Sequence, residues 1–216
     1  MNTDGSEDRQ PQEAGSKDEL GKSISLLPGD VAQRVFGPNP QGVEIAKSRQ
    51  EVIQRQRKDL LESGLFPTVP FPSTYDARGT EHTVCFQGKI VIKYQHKDGW
   101  IPILDDQKKL KVEPATPLQY LRRLDLQNTL FGDDARIIAI TRANRLVSSQ
   151  PTLRGLQPSE NEIRDVMQEG GWLRVPMESQ DLPHQLMGSA WWHPDEELVL
   201  VDARKPNFKK TDYGTL

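Results

Sequence analysis

The sequence has one cysteine, Cys85, among 216 residues, and it lacks the usual marks of an exported or membrane protein. A single cysteine excludes an internal disulfide and fits a reducing compartment. No apolar run approaches the length of a transmembrane helix, and the acidic N-terminus is unlike a signal peptide. The formal net charge of −3 gives no electrostatic argument for nucleic acid or a membrane surface as a partner. These absences predict a soluble cytoplasmic protein.

Histidine spacing also excludes one class of site. The four histidines are His82, His96, His184 and His193, and they show neither metal-ligand spacing nor a nucleophile-base motif. The sequence therefore predicts no histidine-bound metal.

The acidic charge is concentrated at the N-terminus. Residues 1–21 carry six acidic and two basic side chains, a net charge of −4, which leaves +1 for the rest of the chain. Residues 1–22 contain almost nothing to bury and predict a disordered acidic tail. Residues 41–63 then predict a polar surface helix, with Ile53 and Leu60 on its apolar face and Gly64 as its cap. Three prolines within residues 66–72 predict an extended linker.

The strongest local signal is a β-hairpin over residues 80–93. Its two β-rich segments flank Gln87-Gly88, where glycine supplies the positive φ of a two-residue turn. That turn predicts that Val84 pairs with Val91 and that His82 pairs with Lys93. Side-chain alternation then puts Val84, Val91 and Lys93 on one face. Two valines beside an ammonium group suit a flat aromatic base next to phosphate.

Helix signals follow a polar stretch over residues 94–114, which predicts a surface insertion. Thr116 and Gln119 form a capping box, Pro117 fits the first helical position, and Gly132 ends the helix. Residues 136–140 and 145–149 then predict two strands, which Gln150-Pro151 would end.

A second capping box, Ser159 to Glu162, begins a helix that ends at Gly170-Gly171. Trp172, Trp191 and Trp192 are predicted core residues. Both predictions belong to the second half of the chain.

A short apolar run, residues 198–201, predicts a buried strand that leads Asp202 into a turn stiffened by Pro206. Asn207 follows Asp202 by five residues. Phosphoryl transfer needs a carboxylate to orient the attacking hydroxyl and a side-chain carbonyl to hold a magnesium ion. Many ordinary loops share this spacing, so it does not decide the function alone.

The order of these parts resembles the protein-kinase-like superfamily. Val91-Ile92-Lys93 resembles the strand that carries the phosphate-binding lysine, and Asp202 to Asn207 has the D-x-x-x-x-N spacing of the catalytic loop. The resemblance covers residues 75–216, and this part of the chain is similar to the kinase-like domains of phage-type polyvalent proteins. Its segments are Val91–Lys93, Ala115–Leu121, Leu130–Asp134, Ser149–Thr152 and Asp202–Asn207.

The resemblance implies an α+β, protein-kinase-like fold, with a small antiparallel β-sheet lobe and a truncated, mainly helical second lobe. Together with the composition of residues 1–74, it predicts four parts. They are a disordered acidic tail (1–22), a helical arm with a proline-rich linker (23–74), a sheet lobe with one helix (75–150) and a partial second lobe with the catalytic-loop-like segment (151–216).

The resemblance further implies ATP and Mg²⁺ as cofactors. Lys93 would orient the α- and β-phosphates, and Gly79 is the glycine that remains of the glycine-rich loop. Val84 and Val91 would cover the adenine, and the segment around Gln150 would contact its edge through backbone groups.

The implied catalytic residues are Asp202, which would position the acceptor hydroxyl, and Lys93. Asn207 would ligate the magnesium ion. The acceptor would be a hydroxyl group of a protein or of a small molecule, and the sequence does not distinguish these. Asp212-Tyr213-Gly214 is predicted to form a hairpin turn rather than the metal-binding motif, whose aspartate would then fall beyond Leu216.

Two other interpretations remain open at this point. The helix that should pair with Lys93 has no glutamate, and its nearest candidates are Asp125 and Gln127. This departure favours a catalytically inactive kinase-like module with a binding or regulatory role. Alternatively, the chain is a phage-associated interaction protein in which Asp202 and Asn207 only form a tight turn.

Overall fold

A computed structural model describes residues 25–36, 48–105, 107, 109–211 and 214–215. The α-helices in these ranges are α1 (Pro28–Phe36), α2 (Arg49–Glu62), α3 (Pro117–Phe131) and α4 (Glu160–Glu169). The strands are β1 (Thr68–Val69), β2 (Ala77–Arg78), β3 (His82–Gln87), β4 (Ile90–Gln95), β5 (Trp100–Leu104), β6 (Leu110–Pro114), β7 (Arg136–Thr141), β8 (Leu146–Pro151), β9 (Leu173–Arg174), β10 (Trp191–His193), β11 (Leu198–Leu200), β12 (Lys210–Thr211) and β13 (Gly214–Thr215). The predicted tail over residues 1–22 lies outside the described residues.

Six strands form the main sheet in the order β1-β7-β8-β4-β3-β2. Only β1 and β7 are parallel, and every other pair of neighbours in this sheet is antiparallel. Together with the helices, the sheet makes the described part of the chain a mixed α+β structure, as predicted at the level of class. The two strands predicted after the long helix are β7 and β8. β8 continues through Gln150 and Pro151, which were predicted to end it.

The β3–β4 hairpin is present, but its register differs from the prediction. Val84 pairs with Lys93 and Phe86 pairs with Val91, because the turn lies at Gly88-Lys89 and not one residue earlier. Gly88 has a φ of +64°, as a tight turn requires. The correction shifts each pairing by two residues, so Val84, Val91 and Lys93 still share one face.

Helix α3 covers that face of the sheet, and its predicted ends are confirmed. The Thr116 hydroxyl accepts a hydrogen bond from the Gln119 amide, and the Gln119 side chain accepts one from the Thr116 amide. Gly132 ends the helix with a φ of +68°. The apolar face of α3 packs in the main core, whose buried residues are Val31, Leu60, Phe66, Ala115, Tyr120, Leu121, Leu124, Ile137, Ile140 and Leu146.

The chain before residue 75 contributes to this same core. Val31 of α1, Leu60 of α2 and Phe66 are all buried in it. Helix α2 begins at Arg49, because Ser48 is extended and its hydroxyl caps the helix, so the predicted start at residue 41 is too early. Residues 41–47 themselves lie outside the described ranges. Residues 66–72 were predicted only as an extended linker, and two of them form β1.

Residues 94–114 are not a polar surface insertion, which corrects the prediction. They contain the antiparallel hairpin β5–β6. Leu110 is 1% exposed and packs with Leu182 and Ala190, while Ile101 packs against the main core. The sequence signal was the apolar run of β5 and the alternation of β6, which a charged turn separates. The hairpin therefore connects the main sheet to the second half of the chain.

The second half has its own small core. Strands β9, β10 and β11 form a three-stranded antiparallel sheet next to α4, which begins at the predicted capping box of Ser159 and Glu162. Trp172 and Trp191 are buried in this core as predicted, whereas Trp192 is only partly buried. A mainly helical lobe was predicted. The described residues of this half instead contain one α-helix, a three-stranded sheet and three short 3-10 turns. Strands β12 and β13 pair around residues 212–213, which lie outside the described ranges.

Candidate functional site

Four of the predicted nucleotide-binding residues lie together on the helix-facing side of the main sheet. Lys93 on β4 lies between Val84 on β3 and Ser148 on β8. Val91 lies opposite Gln150 in the same pair of strands. Paired residues on adjacent antiparallel strands point to the same face. The predicted shared face of Val84, Val91 and Lys93 is therefore a property of the sheet, and Gln150 lies on the same face.

The Lys93 side chain is partly buried, and its charged neighbours are now identifiable. Burial lowers the pKa of Lys93 below its usual range, and the nearby Asp133 carboxylate opposes that shift. Burial raises the pKa of Asp133, and Lys93 opposes that shift in turn. Asp133 comes directly after Gly132, where α3 ends. The carboxylate near Lys93 thus follows the helix instead of lying on it.

The two helix residues considered for this role are placed differently. The Asp125 carboxylate accepts a hydrogen bond of 3.2 Å from the Gly29 amide, so it joins α3 to α1. Gln127 is partly buried near the end of α3. A helix stop followed by an acidic residue was the sequence signal for Asp133.

An ion pair that the sequence did not reveal lies beside Lys93. Arg123 of α3 donates two hydrogen bonds to Glu81, of 3.0 Å to Oε1 and 2.6 Å to Oε2. The Glu81 carboxylate also accepts a hydrogen bond of 2.8 Å from the Trp100 amide. Burial raises the pKa of Glu81, but the hydrogen bond and charge of Arg123 outweigh burial, and the net shift is downward. This bidentate pair fixes α3 to the start of β3 and to β5.

His82 and Tyr120 form the next contact under α3. The His82 Nε2 and the Tyr120 hydroxyl are 2.6 Å apart, and Tyr120 is 2% exposed. Burial lowers the pKa of His82 to about 3 and raises the pKa of Tyr120 to about 12. The Arg123 guanidinium lies 4.9 Å from the centre of the Tyr120 ring, a cation–π contact. Both side chains are therefore neutral near pH 7 and act as a helix-to-sheet contact.

Gly79 lies in the exposed connection between β2 and β3. Its amide donates a hydrogen bond of 2.8 Å to the His82 carbonyl, and its own carbonyl is 3.0 Å from the His96 Nε2. A Cβ added at Gly79 would meet only ordinary contact, 3.8 Å from the His82 carbonyl oxygen. The turn therefore uses the Gly79 amide for its own closure.

Asp202 and Asn207 occupy one tight turn after β11. Asp202 has a φ of +66°, in the left-handed region, and its carboxylate accepts a hydrogen bond from Arg204. The Asn207 amide nitrogen donates a hydrogen bond of 2.7 Å to the Asp202 carbonyl. The five-residue spacing thus closes a loop, and it leaves the Asn207 side-chain oxygen as an acceptor.

The sheet group and the turn group are held by different elements. Among the described residues, no hydrogen bond or ion pair joins Lys93 to Asp202 or to Asn207. The two groups are connected through the β5–β6 hairpin, because Val201, which precedes Asp202, packs against the cluster that contains Leu110. The convergence of Lys93 and Asp202 on one cleft stays a prediction.

Metal ligands are sparse in the part of the chain that the structure describes. It contains no group of three histidine, cysteine, aspartate or glutamate residues that could hold a metal ion. The predicted metal ligand Asn207 would contribute one oxygen, that of its side-chain amide. No helix in the described ranges is long and apolar enough to cross a membrane.

Comparison with protein-family models, with curated proteins and with solved structures finds no match to this chain. The α+β class therefore rests on the geometry above, and function has to be argued from the residues.

Proposed function

We propose that this chain is an ATP-dependent phosphotransferase of the protein-kinase-like superfamily, which transfers a γ-phosphoryl group to a hydroxyl acceptor. The observation that supports this proposal is the environment of Lys93. Its ammonium group is partly buried on an inner strand, next to Val84 and on the same face as Val91. An isolated surface lysine has no such apolar neighbours. A base with an attached phosphate needs both kinds of contact side by side.

The residues around Lys93 fit a nucleotide. Arg123 is already paired with Glu81, so Lys93 is the cation left to meet phosphate oxygens, with Asp133 to orient it. Val84 is partly buried and would offer apolar surface to the base, whereas Val91 is 7% exposed and offers little. The strand at Gln150 runs beside Val91, and the edge of the base would lie near residues 148–152.

The second group of residues would act on the acceptor. Asp202 would accept the hydrogen bond of the attacking hydroxyl and orient it, and the turn that Asn207 closes would hold this carboxylate in place. Mg²⁺, when bound, would neutralise phosphate charge. Asn207 is the one protein ligand in this proposal. Phosphate oxygens and water would complete the coordination of the ion, as is usual for Mg²⁺.

A catalytically inactive nucleotide-binding module is the second candidate. Two contacts favour it. The Asp202 carboxylate is hydrogen-bonded to Arg204, which competes with an acceptor hydroxyl, and the Gly79 amide is already used within its turn.

The test is a calorimetric titration of the full chain with ATP and Mg²⁺. We expect Lys93→Met to weaken ATP binding at least about tenfold, because a charge-assisted contact to phosphate is lost. Lys97→Met is the matched control, since Lys97 is exposed beyond the end of β4. Equal ATP affinity in Lys93→Met and the unaltered chain would contradict the proposal.

A transfer assay then separates the two candidates. Release or transfer of labelled γ-phosphate by the unaltered chain supports the phosphotransferase. ATP binding that depends on Lys93, without any transfer, supports the inactive module.

A further inference from the structure

A cavity lies at one end of the main sheet, away from the residues predicted to bind nucleotide. Strands β4 and β7 run in the same direction, because both are antiparallel to β8, and β1 is parallel to β7. The carboxyl ends of these three strands therefore meet at one edge.

The cavity has a volume of about 500 Å³ and is lined from all three strand ends. Phe71 follows β1, Gln95 and His96 end β4, and Arg142 and Arg145 lie between β7 and β8. Val84, Val91, Lys93 and Gln150 do not line it. The volume is within the range of small-molecule sites.

The charge of this cavity is positive. Two arginines line it, and no aspartate or glutamate does. Arg145 donates a hydrogen bond of 3.3 Å to Asp98, but Arg57 donates to the same carboxylate oxygen. One carboxylate thus serves two guanidinium groups, while Arg142 forms no ion pair with any described residue. When Arg57, Arg142 and Arg145 are counted against Asp98, guanidinium groups exceed carboxylates by two.

The backbone holds the two arginines in a fixed turn. The Asn144 amide donates to the Thr141 carbonyl at 2.8 Å, and the Arg145 amide donates to the Thr141 hydroxyl at 3.2 Å. Asn144 has a φ of +56°, which is tolerated by asparagine better than by most residues. The guanidinium groups are therefore carried by a closed turn, which lowers the entropy cost of binding an anion.

Phe71 supplies a different kind of contact. Its ring is exposed, and its position is held by an edge contact with the Tyr94 ring, with centroids 5.9 Å apart. An exposed ring beside the two arginines provides a flat apolar wall.

We propose that this cavity binds a small organic anion, in which a flat ring carries a phosphate or carboxylate group. Arg142 and Arg145 hold the anionic group, and Phe71 contacts the ring. The site is independent of the nucleotide site proposed above, since it shares no residue with it.

The test uses phenyl phosphate as the probe, titrated into the full chain and followed by calorimetry and by amide chemical shifts. We expect binding in the millimolar range or tighter, and an affinity at least about tenfold lower in Arg142→Gln, because one charged contact to the anion is lost. Arg142 is exposed and makes no ion pair with described residues, so this change leaves the fold intact. Arg154→Gln is the matched control, because Arg154 is exposed and does not line the cavity.

The location of binding is tested on the same samples. We expect shifts at the amides of residues 141–145 and of Gln95 and His96, and unchanged affinity in Lys93→Met. Unaltered binding in Arg142→Gln would overturn the proposal, and so would loss of binding in Lys93→Met alone. Inorganic phosphate that binds as tightly as phenyl phosphate would overturn the role of the ring. Absence of binding by the unaltered chain at about 10 mM probe would overturn the site as a whole.

Discussion

At the scale of single residues, the contacts under α3 are neutral in one part and charged in another. His82 and Tyr120 share a hydrogen bond as uncharged groups, while Glu81 and Arg123 share two as ions. The difference arises because Glu81 has an arginine partner close enough to offset burial, and His82 has only the charge of Glu81 to offset it. A buried imidazole that cannot be protonated makes stability depend on pH.

We expect the free energy of unfolding to fall as pH decreases below the ordinary histidine pKa of 6.5. Burial lowers the pKa of folded His82 to about 3, so the unfolded chain binds this proton more tightly. The His82 contribution is present in full above pH 6.5 and is lost as pH falls toward 3. Its slope is at most about 1.4 kcal/mol per pH unit.

Urea unfolding from about pH 7.5 down to about pH 4.5 measures this slope. His82→Gln keeps a side chain that hydrogen-bonds Tyr120 but removes the titration, so its slope should be smaller by that amount. His184→Gln is the control, because His184 is exposed. An identical slope in His82→Gln and the unaltered chain would show that His82 titrates normally.

Residue positions were predictable from the sequence only where they follow from local geometry. Val84, Val91 and Lys93 share a face whichever of the two registers is used, because alternation has a period of two residues. Glu81 and Arg123 are 42 residues apart, and only the packing of α3 on the sheet brings them together. No spacing rule connects such a pair.

At the scale of elements, the helices were predictable from local sequence signals, whereas the β5–β6 hairpin depends on contacts with distant parts of the chain. The ends of α3 and α4 were predictable because a capping box and a terminal glycine are local signals. The hairpin was missed because its burial depends on Leu182 and Ala190, far along the chain. Its charged turn, near Asp105 and Lys109, resembled a solvated loop.

The role of this hairpin is testable with one pair of leucines. Leu110 is 1% exposed and Leu104 is 62% exposed, within the same pair of strands. We expect Leu110→Ala to lower the free energy of unfolding by about 3 kcal/mol, since it leaves a cavity between the two halves. Leu104→Ala should change it by less than about 0.5 kcal/mol. Denaturant unfolding of both variants measures the difference, and equal costs would show that residues 94–114 are a surface insertion after all.

At the scale of the whole molecule, the described residues form two main cores that are joined by this hairpin. A smaller cluster lies on the other face of the large sheet and contains Ile92, Tyr94, Ile138, Ala139 and Val147. The second core consists of Ile163, Met167, Trp172, Trp191 and Phe208, all from the second half of the chain. The main core takes its residues from α1, α2, α3 and the large sheet. Along the chain, the change from the main core to the second core falls between β8 and α4. Before residue 75, Leu60 was predicted on the apolar face of a helix, but the burial of Val31 and Phe66 in the main core could not be predicted from local pattern.

Two cores with a small shared cluster should open separately, because cooperative units coincide with groups of residues that bury one another. Ile163→Ala removes a side chain that is 3% exposed in the second core. We expect hydrogen exchange at the amides of β10 and β11 to become about 100-fold faster, which corresponds to a cost of about 3 kcal/mol. Exchange in β7 and β8 should not change. Ile140→Ala, in the main core, is the reciprocal variant and should accelerate exchange in β7 and β8. If Ile163→Ala accelerates exchange equally in both sheets, the chain opens as one unit, and the hairpin couples the two cores more strongly than its one fully buried residue, Leu110, implies.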